Sequence, residues 1–278
     1  MGTNAIMEKT ATEAAAKKME ASFLIDTTKC IGCRGCQISC KQWNQNGTDK
    51  TKEGPTFTNP PKLNSKTYTN IAFFESEQNG VVSWNFARNG CFHCKKPACA
   101  SVCPVEALVK TPEGPVIYRA ERCMGCRYCM LACPFNIPKY EWERLSPRIQ
   151  KCTFCYDRLL AGMIPACAKT CPTGTIRFSD SIDKNLTEAK KRIAENPGKY
   201  HNHIYGEKEA GGTSVLLLSA VPLDQIGHAK VGDQVLPDLT WKYISGIPAI
   251  IGVVLAAGIG SWVITRRNKN MDNEEGKE

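Results

Sequence analysis

Cysteine is the residue type whose number and spacing in this chain could do chemistry. The 278 residues contain 16 cysteines, and each belongs to one of four groups of four. In the first group, the stretch CIGCRGCQISC, the cysteines are separated by two, two and three residues. A proline directly follows the last cysteine of the other three groups. In chain order the groups are Cys30, Cys33, Cys36 and Cys40; Cys91, Cys94, Cys99 and Cys103; Cys123, Cys126, Cys129 and Cys133; and Cys152, Cys155, Cys167 and Cys171.

Three kinds of cysteine chemistry compete for these thiols. Disulfide frameworks occur in short secreted domains with dispersed cysteines, whereas the cysteines of this long chain crowd at two-residue intervals. A structural zinc site usually takes two CxxC pairs set well apart, so a zinc-binding scaffold is the distant alternative. The run C-x2-C-x2-C-x3-C-P is instead typical of bacterial two-cluster ferredoxins, whose thiolates hold a cubane of iron and sulfide. The sequence therefore predicts four 4Fe-4S clusters, with all sixteen cysteines as iron ligands.

The spacing also predicts which cysteines share a cluster. Three thiolates two residues apart fit a tight loop around one corner of a cubane, with backbone N–H groups pointing at its sulfurs. The fourth cysteine is expected where the loop turns into a helix, and in two-cluster ferredoxins it ligates the other cluster. We expect groups one and four to form an outer unit, and groups two and three an inner unit. The predicted ligands are Cys30, Cys33, Cys36 and Cys171 for cluster A; Cys40, Cys152, Cys155 and Cys167 for cluster B; Cys91, Cys94, Cys99 and Cys133 for cluster C; and Cys103, Cys123, Cys126 and Cys129 for cluster D.

Five further residues lie between predicted ligands. Arg34, Arg127, Lys95 and Lys96 are the expected candidates for tuning reduction potentials, because a positive charge beside a cluster favours its reduced state. His93 lies in a group that already has four cysteines, so we expect it to make hydrogen bonds or to be exposed rather than to bind iron.

The charge of the chain agrees with bound negative cofactors. The formal net charge is +9. From Cys30 to Phe178 there are 20 Lys and Arg against 10 Asp and Glu, so the positive excess lies in the cysteine-bearing part. Four oxidised cubanes with their thiolates carry a charge of about −8, which leaves the loaded protein near neutral. The basic residues do not alternate with aromatic ones, so we predict no nucleic-acid partner.

Cysteine loops alternating with short strands and helices predict an α+β fold built from two ferredoxin-like 4Fe-4S units. Strands are expected in ASFLIDTTKC, GPVIYRAERC and TSVLLLSAV, and a helix in DKNLTEAKKRIAEN. The runs TNIAFFES and VVSWNFA predict a hairpin with Asn79 and Gly80 at its turn. A helix of one or two turns is expected in VEALVK, after Pro104.

The end of the chain predicts a transmembrane helix. Residues 243–265, YISGIPAIIGVVLAAGIGSWVIT, contain no charge. A helix of that length crosses a bilayer core of about 30 Å. The predicted organisation is an N-terminal arm over 1–21; the outer unit over 22–90 and 134–178, with a surface excursion over 44–67; the inner unit over 91–133; a helix and strand extension over 179–240; the transmembrane helix over 243–265; and a cytoplasmic tail over 266–278.

The order of the four cysteine groups and the C-terminal span resemble the iron-sulfur (β) subunit of membrane-bound respiratory formate dehydrogenases of the formate dehydrogenase N type. The resemblance covers nearly the whole chain and includes CFHCKKPACASVCP, CMGCRYCMLACPFNIP, KCTFCYDRL and PACAKTCPTG. The segments PFNIPKY and ESEQNG, with the anchor, favour this family over other electron-transfer subunits. This sequence departs from the family pattern mainly in the N-terminal arm and in residues 44–67.

The resemblance implies a non-catalytic electron carrier with four 4Fe-4S clusters. Its partners would be a molybdopterin-containing catalytic (α) subunit and a cytochrome b (γ) membrane subunit that passes electrons to quinone. The sequence has no nucleophile and base pair, phosphate loop or formate site, so we nominate no catalytic residue. The equivalent subunit of a membrane-bound hydrogenase, or of another molybdopterin oxidoreductase, is the alternative.

Charge predicts the orientation in the inner membrane. Arg266, Arg267 and Lys269 directly follow the span, so by the positive-inside rule the C-terminus is cytoplasmic and the cluster-bearing part is periplasmic. The N-terminal residues show neither an apolar signal region nor a twin arginine. We therefore expect the protein to fold in the cytoplasm and to cross as a folded pair with a catalytic subunit that carries the export signal.

Overall fold

The structure consists of short strands and helices that connect the cysteine loops. It is a computed structural model that describes residues 19–51, 54–78, 80–145 and 147–275. Most of the predicted N-terminal arm and the last three residues of the predicted tail lie outside the described residues. In chain order the elements are β1 (Ser22–Asp26), α1 (Gly35–Trp43), β2 (Asn70–Gln78), β3 (Val81–Asn89), α2 (Ala98–Ser101), β4 (Leu108–Lys110), β5 (Val116–Tyr118), α3 (Tyr128–Ala132), β6 (Lys139–Tyr140), β7 (Ile149–Gln150), α4 (Tyr156–Leu160), α5 (Ala166–Thr170), β8 (Ile176–Ser179), α6 (Ile182–Glu195), β9 (Val215–Leu218), α7 (Leu236–Ile244) and α8 (Ile247–Glu275).

The central strand, β1, joins parts of the chain that are far apart in sequence. It pairs antiparallel with β8, where Phe23 faces Phe178, and parallel with β9, where Phe23 faces Val215. Because β1 leads into the first cysteine group and β8 follows the fourth, this sheet brings those two groups together. The strands predicted in ASFLIDTTKC, GPVIYRAERC and TSVLLLSAV and the helix predicted in DKNLTEAKKRIAEN are confirmed.

The two faces of β1 are both buried but contact different layers. Phe23 and Ile25 pack in the core that contains Cys36, Phe154 and Cys167. Leu24 points the other way, into a second core formed with α6 and β9. This alternation follows from the two-residue period of a strand. One face of the sheet thus supports the cysteine loops, and α6 covers the other.

The predicted hairpin is confirmed, and it forms a platform for the segment that precedes it. β2 and β3 pair antiparallel from Asn70 opposite Asn89 to Gln78 opposite Val81, and Gly80 has a φ of +76°. Asn79, the other predicted turn residue, lies outside the described residues. Thr58 Oγ1 accepts a hydrogen bond of 2.9 Å from Phe73 N, and Asn70 Nδ2 donates one of 2.8 Å to the Pro60 carbonyl. The part of the excursion 44–67 around Thr58 and Pro60 therefore packs against the hairpin.

The prediction of a helix in VEALVK, after Pro104, is wrong. Leu108–Lys110 is a strand, β4, that pairs antiparallel with β5, with Leu108 opposite Tyr118. Glu106 has a φ of +50°, which a right-handed helix excludes. The two β-branched residues of VEALVK are better accommodated in a sheet than in an isolated short helix.

In groups two, three and four the short helix ends just before the fourth cysteine instead of following it, whereas in group one α1 contains both Cys36 and Cys40. The third cysteines, Cys36, Cys99, Cys129 and Cys167, lie within α1, α2, α3 and α5. In every group the fourth cysteine comes four residues after the third. Because a helix rises about 1.5 Å per residue, the two thiols are offset by about 6 Å along its axis. That offset allows them to serve different clusters.

Residues 236–278 form a unit of their own. The helix predicted over 243–265 is divided: α7 ends at Ile244, and α8 begins at Ile247 with Pro248 in its first turn, where proline is well tolerated. The candidate membrane span within α8 is Ile247–Lys269, with a mean hydropathy of 2.2. A long apolar helix is thus present where the sequence predicted one, and the candidate span lies four residues further toward the C-terminus than the prediction.

Candidate metal-cluster site

Two cavities lined by thiols lie beside the Phe23 face of the sheet, and each mixes cysteines from the first and fourth groups. All sixteen cysteines are free thiols in the structure. The first cavity is lined by Cys30, Cys33, Cys36 and Cys171. The second is lined by Cys40, Cys152, Cys155 and Cys167.

The other eight cysteines surround α2 and α3, which pack against each other. Cys133 of the third group lies near the thiols of the second, and Cys103 of the second group lies near those of the third. The neighbouring sets are Cys91, Cys94, Cys99 and Cys133, and Cys103, Cys123, Cys126 and Cys129.

The protein environment by itself opposes ionisation of most of these thiols. Burial, reinforced by neighbouring thiols, raises the pKa of Cys36 and Cys152 to about 12. Burial also raises the pKa of Cys155 to about 11. An iron ligand must be a thiolate, so the bound iron has to displace the proton and supply the compensating positive charge. A soft, thiophilic metal group fits this set of donors.

The thiols are spread around each cavity rather than gathered at one point. Among residues 19–51, 54–78, 80–145 and 147–275, no three Cys, His, Asp or Glu side chains are placed to hold a single metal ion. A zinc ion with bonds of about 2.3 Å to sulfur would hold its thiolates within about 4 Å of one another. The arrangement favours a cluster of several irons, whose ligands bind different metal atoms.

All four groups use the same backbone conformation before the second cysteine. The residues at that position are Gly32, His93, Gly125 and Phe154, with φ values of +68°, +48°, +75° and +61°. A left-handed residue reverses the direction of the chain within the CxxC loop. The repeat shows that the four loops share one local geometry even though their sequences differ.

Gly32 is needed for close packing as well as for its φ. A Cβ atom added there would lie 2.8 Å from Cε1 of Phe86 and 3.0 Å from Cε1 of Phe73. The hairpin β2–β3 therefore presses directly against the first cysteine loop. His93 and Phe154 adopt the same left-handed conformation in the second and fourth loops, and their rings are buried against each other, with centroids 4.8 Å apart.

The structure confirms the hydrogen-bonding role predicted for His93. Its Nδ1 accepts a hydrogen bond of 3.0 Å from Val116 N, which assigns the ring proton to Nε2. Burial, with the nearby Lys151 and Lys110, lowers the pKa of His93 well below its ordinary value. The histidine is neutral and anchors β5 to the second cysteine loop.

Backbone N–H groups also support three of the fourth cysteines. Cys103 Sγ accepts from Ala107 N at 3.1 Å, and Cys133 Sγ accepts from Ile137 N at 3.5 Å. Although burial opposes it, hydrogen bonds from Ile176 N and Thr173 lower the pKa of Cys171. Such donors stabilise negative charge on sulfur and so tune a bound cluster.

Two of the basic residues expected to tune the clusters contact aromatic rings. The Arg34 guanidinium lies 4.9 Å from the centroid of Phe73, and that of Arg127 lies 5.1 Å from the centroid of Trp142. Cation–π contacts of this kind fix both side chains at the rims of their loops.

Sequence reasoning missed two buried cations. Arg88 lines both cavities beside the sheet, and Lys151 donates hydrogen bonds to the carbonyls of Val116 and Cys152. Neither lies between ligands of one group, where the sequence predicted the tuning residues. Arg88 could have been recognised from its position in β3. It lies on the same face of the strand as Trp84 and Phe86, at the end of the strand that enters the interior.

Comparison with known proteins assigns the chain to a family. Two models described as 4Fe-4S dicluster domains match residues 29–107 and 82–181. The nitrate-inducible formate dehydrogenase iron-sulfur subunit of Escherichia coli (strain K12) is 37% identical over 266 residues, which are 93% of this chain and 90% of that protein. The chain belongs to the iron-sulfur subunits of formate dehydrogenases. It binds 4Fe-4S clusters and serves as an electron-transfer subunit.

Other relatives place this subunit within a wider group. The formate dehydrogenase-O iron-sulfur subunit of Escherichia coli (strain K12) is 39% identical over 71% of this chain and 66% of that protein. The hydrogenase-2 operon protein HybA of Escherichia coli O157:H7 is 34% identical over 91% of this chain and 86% of that protein. The resemblance to formate dehydrogenase subunits is confirmed, and the hydrogenase alternative matches at lower identity.

Replacing Gly32 tests whether the close approach of the hairpin shapes the first cysteine loop. In Gly32→Ala, the left-handed backbone costs about 1–2 kcal/mol, and the new Cβ also meets Phe86. We expect less iron per chain and a lower thermal midpoint, measured on protein loaded with clusters. Gly162→Ala is the matched control, because Gly162 has a φ of +70° but no heavy atom within 4 Å of the added Cβ. Equal iron content in the two variants would contradict the account.

Proposed function

We propose that this subunit carries electrons in a membrane-bound respiratory formate dehydrogenase. It takes them from a molybdopterin-containing catalytic (α) subunit and passes them through four 4Fe-4S clusters to a cytochrome b (γ) membrane subunit and so to quinone. The observation that carries this proposal is the arrangement of sixteen free thiols in four neighbouring sets, within a chain 37% identical over 93% of its length to the iron-sulfur subunit of a nitrate-inducible formate dehydrogenase.

We assign the clusters to the four sets of thiols. Clusters A and B occupy the two cavities beside the sheet, and clusters C and D occupy the sets around α2 and α3, with the ligands predicted from the spacing. The outer unit then consists of residues 22–90 and 134–178, and the inner unit of residues 91–133. The packing of α1 on α5 and of α2 on α3 supports this division.

The sets form a row in the order A, B, C, D. Cys36 of set A is a neighbour of Cys167 of set B, and Cys152 of set B packs near Cys91 of set C. Cys99 of set C packs near Cys129 of set D. Cys33 and Cys126, in the terminal sets, are exposed. Both ends of the row therefore open to the surface, where a partner can exchange electrons.

The role of this chain is to hold the four sets of thiols in place and to shield them. When bound, each 4Fe-4S cluster accepts and releases one electron. The protein buries the cysteines of set B, partly buries those of set C, and supplies N–H donors and buried cations near their sulfurs. It offers no group that would break or form a bond in a substrate, which agrees with a non-catalytic subunit.

The electron donor can be identified with the complex purified from its own membranes. Under anaerobic conditions, we expect formate to bleach the broad iron-sulfur absorption of this subunit and hydrogen gas to leave it unchanged, because the donor is a formate-oxidising subunit. A complex in which the catalytic subunit lacks its molybdopterin serves as the control and should respond to dithionite alone. Bleaching by hydrogen but not by formate would favour the hydrogenase role suggested by the similarity to HybA.

The candidate span in α8 fits a single-pass membrane protein, and we propose an orientation for it. Arg266, Arg267 and Lys269 follow the apolar part of α8, which places the C-terminus in the cytoplasm under the positive-inside rule. The cluster-bearing residues then lie in the periplasm. Because iron-sulfur clusters are assembled where thiols remain reduced, the folded subunit would cross together with a catalytic subunit that carries the export signal.

Reporter fusions test this orientation. We expect a reporter active only in the periplasm to be active at the N-terminus and inactive after Glu278, in cells that also make the catalytic subunit. Removing the export signal of the catalytic subunit should abolish the N-terminal activity. An active C-terminal fusion, or N-terminal activity that survives loss of that signal, contradicts the proposal.

A further inference from the structure

Arg88 is a buried cation that lies between the two cavities beside the sheet. Its side chain lines the cavity of Cys30, Cys33, Cys36 and Cys171 and also that of Cys40, Cys152, Cys155 and Cys167. Only 6% of the residue is exposed. Its Nη2 lies 3.8 Å from Cys167 Sγ.

No carboxylate among the described residues balances the charge of the guanidinium. Within the described part of the chain, no aspartate or glutamate forms an ion pair with Arg88, and its Nε has no hydrogen-bond partner. The ring of Phe23 lies on one side, with its centroid 5.8 Å from Cζ. A buried, unpaired charge is strongly destabilising, and arginine cannot lose its proton in proteins. The site therefore requires negative charge from another source.

The surrounding thiols are the available source of negative charge. Four thiols from the two cavities interact most strongly with the charge of Arg88. They are Cys167, Cys36, Cys152 and Cys40. A 4Fe-4S cluster with four thiolates carries about −2 when oxidised and gains one more negative charge on reduction. A fixed positive charge between two such groups stabilises the reduced form of each, and it offsets the repulsion between them.

We propose that Arg88 is a positioning residue that raises the reduction potentials of clusters A and B together and lets both be reduced at once. The inference rests on the proposed assignment of four clusters. It differs from the tuning expected at Arg34 and Arg127, whose guanidinium groups contact aromatic rings at the loop rims.

The test is a redox titration of the whole 278-residue chain, loaded with its clusters in detergent and monitored by electron paramagnetic resonance. In Arg88→Met, which removes the charge at similar length, we expect two of the four couples to shift to lower potential. At a fixed potential near their midpoints, the ratio of reduced to oxidised cluster should fall at least about tenfold, which corresponds to about 59 mV for a one-electron couple. The other two couples should stay in place.

Two control variants separate the charge of Arg88 from its shape and from net charge. Arg88→Lys keeps a cation at the site and should restore both couples toward their original potentials. Arg177→Met makes the same change in net charge on β8, where Arg177 bonds to Asn185 at 2.8 Å on the α6 side of the sheet, and it should shift no couple. Iron content, measured on every sample, shows whether all clusters are present.

Several results would overturn the inference. These are no shift in Arg88→Met, an equal shift of all four couples, or an Arg88→Lys protein that behaves like Arg88→Met. If Arg88→Met does not retain its clusters, Arg88→Lys decides alone: full loading with near-original potentials supports the charge role, and loss of the same clusters contradicts it. An original protein with fewer than four clusters contradicts the proposed cluster assignment instead, so the two failures are distinguishable.

Discussion

The fold of this subunit depends on placing closely spaced thiolates where water is largely excluded. Negative charge is costly in such surroundings, and the raised pKa of Cys36, Cys94 and Cys152 shows that the protein alone does not stabilise it. Iron supplies most of the compensation, and the chain adds fixed positive groups. These positive groups are the buried side chains of Arg88 and Lys151 and the backbone N–H groups that contact Cys103, Cys133 and Cys171.

A second consequence concerns chain connectivity. In each group the third and fourth cysteines are four residues apart and are separated by about one helical turn, so one short helix can contribute to two sets of thiols. The pairing of β1 with β8 then brings the first and last groups together, although more than a hundred residues separate them in sequence. The hairpin β2–β3 closes this pair from the side and carries Arg88 between its two cavities.

The sequence predicted those features that depend on local spacing. The sixteen cysteines, the strand before Cys30, the hairpin of β2 and β3 and the apolar C-terminal helix could all be recognised because each has a repeat or a period in the chain. The strand at Leu108–Lys110 could not, since a three-residue strand is defined by its partner, β5, rather than by its own pattern. Arg88 was missed for a related reason: only the folded hairpin places it between thiols that lie far away in sequence. The break between α7 and α8 at Ser245–Gly246 moved the span relative to the prediction, because proline and glycine determine where α8 begins.

The exchange of fourth cysteines between groups is the central claim, and a structure of the loaded protein with diffraction data collected at the iron absorption edge tests it most directly. The account predicts four clusters of four iron atoms, with Cys171 ligating the same cluster as Cys30 and Cys40 ligating the same cluster as Cys152. A map in which Cys40 and Cys30 share a cluster, or in which one set of thiols holds zinc or fewer than four irons, would contradict it.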